Sequence, residues 1–116
     1  EGNRRWSEER CRNAGIEPVF PLWNAGREDN VRELLSLGYE CLIKSINNTL
    51  LPKSLLGKII DEQTVSVMKK AGIDICGENG EYHTLTTDGP IFKEPILLKT
   101  GRILDFGDYS VIDVTV

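Results

Sequence analysis

Several features that would remove this chain from ordinary aqueous folding are missing. Its longest apolar runs are a few residues, as in Ile96-Leu97-Leu98, against the roughly 20 needed to span a bilayer. A membrane-spanning helix is excluded. The opening Glu1-Gly2-Asn3-Arg4-Arg5 holds no apolar secretory core, so a cytoplasmic setting is expected. Cysteine is scarce and odd in number: Cys11, Cys41 and Cys76 stand far apart with no CxxC pair, which argues against a disulfide framework or a zinc site and for buried or idle thiols. Excess positive charge is absent too. A net charge of -4 gives nucleic acid and anionic membranes nothing general to attract. Repeats, low-complexity tracts and linkers are also lacking.

What is present fits one folded unit. The 116 residues are 40% hydrophobic and 28% charged, enough for a single core and far from the composition of disordered chains. Charge is uneven: residues 1–72 hold 11 Lys/Arg against 10 Asp/Glu, whereas residues 73–116 hold 3 against 8. The chain changes character at Gly72, so residues 1–72 are expected to form an α/β part and residues 73–116 a β-rich part.

Local signals fill in the elements. Asn3 is placed to cap an exposed, Arg/Glu-rich helix over residues 4–14, stopped by Gly15. Ile16-Glu17-Pro18-Val19-Phe20 predicts a short strand, and Pro21-Leu22-Trp23-Asn24 a turn leaving it. Val31, Leu34, Leu35 and Leu37 predict an amphipathic helix over residues 27–37 ending at Gly38. Residues 40–46 predict a second strand, parallel to the first, with Asn47-Asn48-Thr49 as its polar exit. Pro52 opens a short helical piece, and Asp61 caps a helix over residues 62–71 that ends at Gly72. Beyond it, residues 82–86, 96–100, 102–106 and 109–116 read as strands, separated by turn residues and by Gly101.

The densest polar cluster is Cys76-Gly77-Glu78-Asn79-Gly80-Glu81-Tyr82-His83-Thr84, which includes the one histidine of the chain. Its glycines permit positive φ and exposed N–H groups, while Glu78, Glu81 and His83 offer metal ligation or proton transfer. Physics alone leaves two readings open, a ligand loop or a polar turn entering a strand. Cys76 with His83 forms a thiol–imidazole pair without an orienting partner, a weak signal for a nucleophile. Trp23 lines a pocket or, the reading favoured here, fills the core. Gly57-Lys58 meets a phosphate or is solvated, and Arg4, Arg5, Arg10 and Arg12 read as a solvated helix face.

The run Gly77-Glu78-Asn79-Gly80-Glu81-Tyr82-His83-Thr84, followed by Asp88-Gly89-Pro90-Ile91-Phe92, resembles the C-terminal motif of the diphthine–ammonia ligase family, N-type ATP pyrophosphatases of the PP-loop superfamily. Pro21-Leu22-Trp23, residues 55–61 and Gly72-Ile73-Asp74 stand in the order that resemblance requires. The resemblance implies an α/β fold with a partial parallel sheet, like adenine nucleotide alpha hydrolases, followed by the β-rich part. It implies ATP and magnesium as cofactors and a ligase reaction of diphthamide biosynthesis: a carboxylate is adenylated, pyrophosphate leaves, and ammonia displaces AMP. The archetypal carboxylate is diphthine on elongation factor 2, and Glu78 and Glu81 are suited to a metal, ammonium or the trimethylammonium of such a substrate. Glu78, Asn79, Gly80, Glu81, His83 and Thr84 carry over by motif as substrate-binding residues, without individual roles. The family's SGGKDS-type phosphate loop has no counterpart here, since Gly77-Glu78-Asn79-Gly80 and Thr100-Gly101-Arg102 lack the serine, lysine and following helix. A C-terminal portion, inactive alone, is therefore expected. A sheet without its first strand would expose an edge and favour homo-oligomers. The competing expectation is a non-enzymatic module that binds a small cationic ligand.

Overall fold

β1 (Glu40–Asn47) is the strand around which the molecule is organised, and its Ile43 and Ile46 are almost wholly buried. In the computed structural model, which describes residues 2–116, β1 lies between β2 (Tyr82–Asp88) and β4 (Tyr109–Thr115), and β3 (Lys99–Asp105) completes the order β2-β1-β4-β3. Every pairing is antiparallel. The sheet thus takes β1 from ahead of Gly72 and its other strands from beyond it.

The parallel sheet expected from the sequence does not form among the described residues. Residues 16–20 are not a strand: Val19 is 78% exposed, Pro18 has no N–H to give to a ladder, and both edges of β1 are already taken by β2 and β4. The adenine nucleotide hydrolase-like arrangement, which needs parallel neighbours, is therefore absent from this part of the chain. The α/β class itself stands, as three helices accompany the sheet.

The helices follow their local chemistry. α1 (Gly2–Ala14) buries no side chain, as its polar composition requires, and Gly15 ends it at φ +70°. α2 (Arg27–Ser36) turns Val31 into the core. α3 (Glu62–Ala71) has the most complete caps: Asp61 accepts from the Thr64 N–H while the Thr64 hydroxyl accepts from the Asp61 N–H, and Gly72 closes the helix in the left-handed conformation. Met68 on α3 is fully buried and joins Leu42, Ile43, Ile46, Leu55, Ile60 and Tyr82 in one apolar cluster. A single 3-10 turn, Lys53–Leu55, seats Leu55 in that cluster.

Within residues 96–106, where two strands were expected, the structure has one, Lys99–Asp105. β3 runs through Gly101 because the register shifts between Thr100 and Ile103, and a bulge absorbs what would otherwise end the strand. A β-carbon at Gly101 would lie 3.3 Å from that of Asp113, so the glycine also serves close strand approach. The radius of gyration, 16.0 Å, exceeds the roughly 13 Å of a compact chain of this length.

Candidate functional site

The segment between α3 and β2 is a polar loop built by its own backbone and two buried side chains. The Asp74 carboxylate accepts from the Cys76 N–H at 2.9 Å, and the Gly77 N–H donates to the Asp74 carbonyl at 2.9 Å. Gly77 and Gly80 take φ of +70° and +83°, the left-handed values that reverse the chain twice within four residues. Gly77 also lies under the Tyr82 ring, where a β-carbon would come within 2.9 Å of Cε1. The Tyr82 hydroxyl donates to the Ile75 carbonyl at 2.5 Å. Burial first, then the Cys76 thiol and the carboxylates of Asp74 and Glu81, push its ionisation well above the ordinary tyrosine value.

Glu81 faces inward and is only 4% exposed. Its carboxylate accepts from the Asn79 N–H at 2.9 Å, from Asn79 Nδ2 at 3.3 Å and from the Asp74 N–H at 3.3 Å. Burial alone would raise this carboxyl. Hydrogen bonds from its own backbone, from Asn79 and from Asp74 outweigh that and hold it below the usual carboxylate range. Its carbonyl accepts from the Asn47 N–H at 2.8 Å, which fastens the loop to the exit of β1. Glu81 is thus a buried tie between the two ends of its own loop.

The outer face of the loop borders an open cleft of about 1310 Å³. Glu78, Asn79, Gly80, His83 and Thr84 all line it, whereas Glu81 does not. Five of the six motif residues therefore meet at one concavity, which Glu78 borders and Glu81 does not. Glu78, His83 and Thr84 are exposed. Asn79 directs its side-chain amide to Glu81, so it shapes the loop more than it faces the opening.

Phe20, Trp23, Asn24, Arg27 and Asn30 also border the cleft. Trp23 is 38% exposed and fills no core position, so the core reading of this residue is corrected: the turn after Phe20 holds it at the surface. The signal that locates it is the Phe20–Trp23 spacing across that turn, where the rings sit edge to face at 6.3 Å. Arg4, expected to be solvated, instead lays its guanidinium over both rings, 5.3 and 5.1 Å from their centroids. Sequence reasoning also missed Arg27. It opens α2 and pairs with Asp74 at 3.5 Å, tying that helix to the loop.

The thiol–imidazole reading finds no support. Cys76 donates to the Arg27 carbonyl at 3.2 Å, and burial, with Asp74 and Glu78 adding to it, pushes its thiol up, away from the thiolate a nucleophile needs. Cys41 is buried. Lys58 is exposed, as the solvated reading of Gly57-Lys58 requires. Among the described residues no group of three His, Cys, Asp or Glu side chains is placed to hold a metal ion, and no helix is long and apolar enough to cross a membrane.

Fold and site together define a small α/β domain whose antiparallel sheet carries a glycine-turned polar loop on the wall of a cleft. The chain belongs to the diphthamide synthase C-terminal domain family, whose model matches residues 26–115. It is similar to the diphthine–ammonia ligase of Homo sapiens, 33% identical over 98 residues that cover 81% of this chain and 37% of that protein. The Rattus norvegicus diphthine–ammonia ligase is 35% identical over 96 residues, covering 79% and 36%. That of Schizosaccharomyces pombe is 28% identical over 104 residues, covering 87% and 17%. The chain spans little more than a third of the length of the mammalian relatives it matches.

Proposed function

We propose that this chain is the substrate-binding portion of an ATP-dependent ligase that converts a protein-borne carboxylate of the diphthine class into an amide. The observation that carries the reading is the cleft: the motif that resembles the ligase family supplies part of its wall, in a chain belonging to the diphthamide synthase C-terminal domain family. In the proposed reaction a carboxylate oxygen attacks the α-phosphorus of ATP, giving an acyl adenylate and releasing pyrophosphate. Ammonia then adds to the acyl carbon and AMP leaves. Elongation factor 2 is the acceptor that the family resemblance implies, in a cytoplasmic setting.

ATP with magnesium requires backbone donors at the start of a helix and hard oxygen ligands. The described residues do not fit that requirement. Gly77–Gly80 leads into strand β2, Thr100-Gly101-Arg102 lies within β3, and no metal-ligating cluster is present among them. In this reading the nucleotide is held by the portion of the longer relatives that this chain does not match. The chain's own residues bind and orient the acceptor: Glu78 attracts the ammonium that supplies the nucleophile, His83 is the side chain suited to accept its proton, and Thr84 offers a hydroxyl to the acyl group.

The test is Glu78→Gln in the longer enzyme that contains this segment. The substitution keeps size and removes charge, and the side chain is exposed, so folding by circular dichroism should be unchanged while amide formation falls at least about tenfold, or about 1.4 kcal/mol. Unchanged turnover would refute the assignment. The segment alone should release no pyrophosphate from ATP above background.

A further inference from the structure

The Phe20–Trp23 pair carries a feature that the ligase reading leaves unused. Two aromatic rings at the cleft, edge to face at 6.3 Å, share a single cation, with the Arg4 guanidinium 5.3 Å from one centroid and 5.1 Å from the other. Ring faces are electronegative and offer no hydrogen-bond acceptor, so such a pair selects cations that are weakly hydrated, guanidinium or quaternary ammonium, over a strongly hydrated primary ammonium. Arg4 is held over the rings and by its Nε, bonded at 2.7 Å to Glu8 one turn along the exposed helix α1, so an entering cation has to displace it. Glu78 lines the same cleft, and a carboxylate there adds favourable potential for any cation that enters.

We propose that Phe20 and Trp23 form a recognition site for a quaternary ammonium group, with Arg4 as an internal cation that competes for it. On the ligase reading, from which the identity of the ligand's carrier follows, this site takes the cationic end of the acceptor while its carboxylate meets the loop. Displacing Arg4 couples substrate entry to movement of a side chain on α1 that otherwise packs against nothing in the core.

The experiment is a ligand-observed NMR titration of the full 116-residue chain with choline, against its neutral isostere 3,3-dimethylbutan-1-ol, at constant chloride. Choline should bind saturably, with an upfield shift of its N-methyl protons from the ring currents, and at least about fivefold more tightly than the isostere. Trp23→Leu should abolish the shift. Arg4→Gln, on an exposed helix and safe for folding, should tighten binding at least about threefold by removing the competitor. Equal affinity for the isostere, or Arg4→Gln binding no more tightly than the parent chain, would overturn the proposal. No nucleotide or ammonia enters this titration, so it answers for the cation site alone; the ligase reading stands or falls on Glu78→Gln turnover.

Discussion

Replacing Glu81 by glutamine tests the loop at the point where most of its geometry converges. The native carboxylate takes the Asn79 N–H on one oxygen and the Asp74 N–H and Asn79 Nδ2 on the other. Glutamine keeps one of those oxygens and puts an NH2 where the second stood, facing a donor. With the remaining oxygen kept toward Asp74, the Asn79 N–H loses its acceptor. One charge-assisted bond is lost and one buried donor is stranded, a cost of about 2–3 kcal/mol, and a fall in melting temperature of about 10 °C for a domain this size. The difference should depend on pH. The Glu81 carboxyl is held below its ordinary value in the folded chain, so its contribution is fully present above the unfolded-state value of about 4.3 and is lost as pH falls through the lowered folded value. Urea unfolding at pH 7 should show the full gap between parent and Glu81→Gln, and the same measurement toward pH 3 should show it shrinking. Amide exchange at Asn79 should quicken in the variant. Equal urea midpoints at pH 7, or a gap that persists undiminished in acid, would refute the buried-tie account.

Three further outcomes follow from the same geometry. Tyr82→Phe removes the donor to the Ile75 carbonyl and should cost about 1–2 kcal/mol by urea midpoint; because the folded hydroxyl resists ionisation, the parent chain should lose stability as pH rises above the ordinary tyrosine value of about 10, and the variant should lose less. Asp61→Ala deletes the 2.7 Å cap to the Thr64 N–H and should destabilise by about 1 kcal/mol, with lower helical signal by circular dichroism. Gly77→Ala forces a β-carbon to within 2.9 Å of Tyr82 Cε1 at a φ of +70°, so it should cost about 1–3 kcal/mol; a neutral effect in thermal melts would mean the loop has room that the structure denies it.

The local elements were legible because their signals are local. Val31, Leu34 and Leu35 fix the inner stripe of α2, which ends at Ser36 with Leu37 an exposed cap residue and not part of the stripe, and Asp61 and Gly72 bracket α3 as expected. Strand pairing was not legible. Residues 16–20 have a strand's composition, but both edges of β1 go to β2 and β4, and the choice between parallel and antiparallel partners for β1 depends on residues 82–88 and 109–115, far along the chain. Gly101 has the composition of a break and the role of a bulge, because the neighbouring Asp113 decides which. In the candidate site, residue types alone give Glu78 and Glu81 equal standing. Only the turn at Gly77, which brings the Asp74 N–H back toward residue 81, separates the buried carboxylate from the exposed one.

That separation gives the loop a division of labour. A side chain at a binding surface is useful only if its support keeps it in place, and the support must come from groups that do not themselves exchange with ligand. Glu81 meets that condition, since it is buried, charged and bonded to both ends of the loop. Asp74 extends the support outward through Arg27 to the start of α2, and the Asn47 N–H extends it to the central strand. Glu78 and Gly80 thus stand on a frame anchored to a helix and to the sheet, with His83 and Thr84 on the strand that follows. On the proposed ligase reading, an acyl group and an amine nucleophile react well only when held in a fixed mutual geometry, and a wall preset in this way meets part of that requirement before any ligand arrives. On that same reading, Phe20 and Trp23, under the Arg4 guanidinium, supply the rest of the cleft's binding surface.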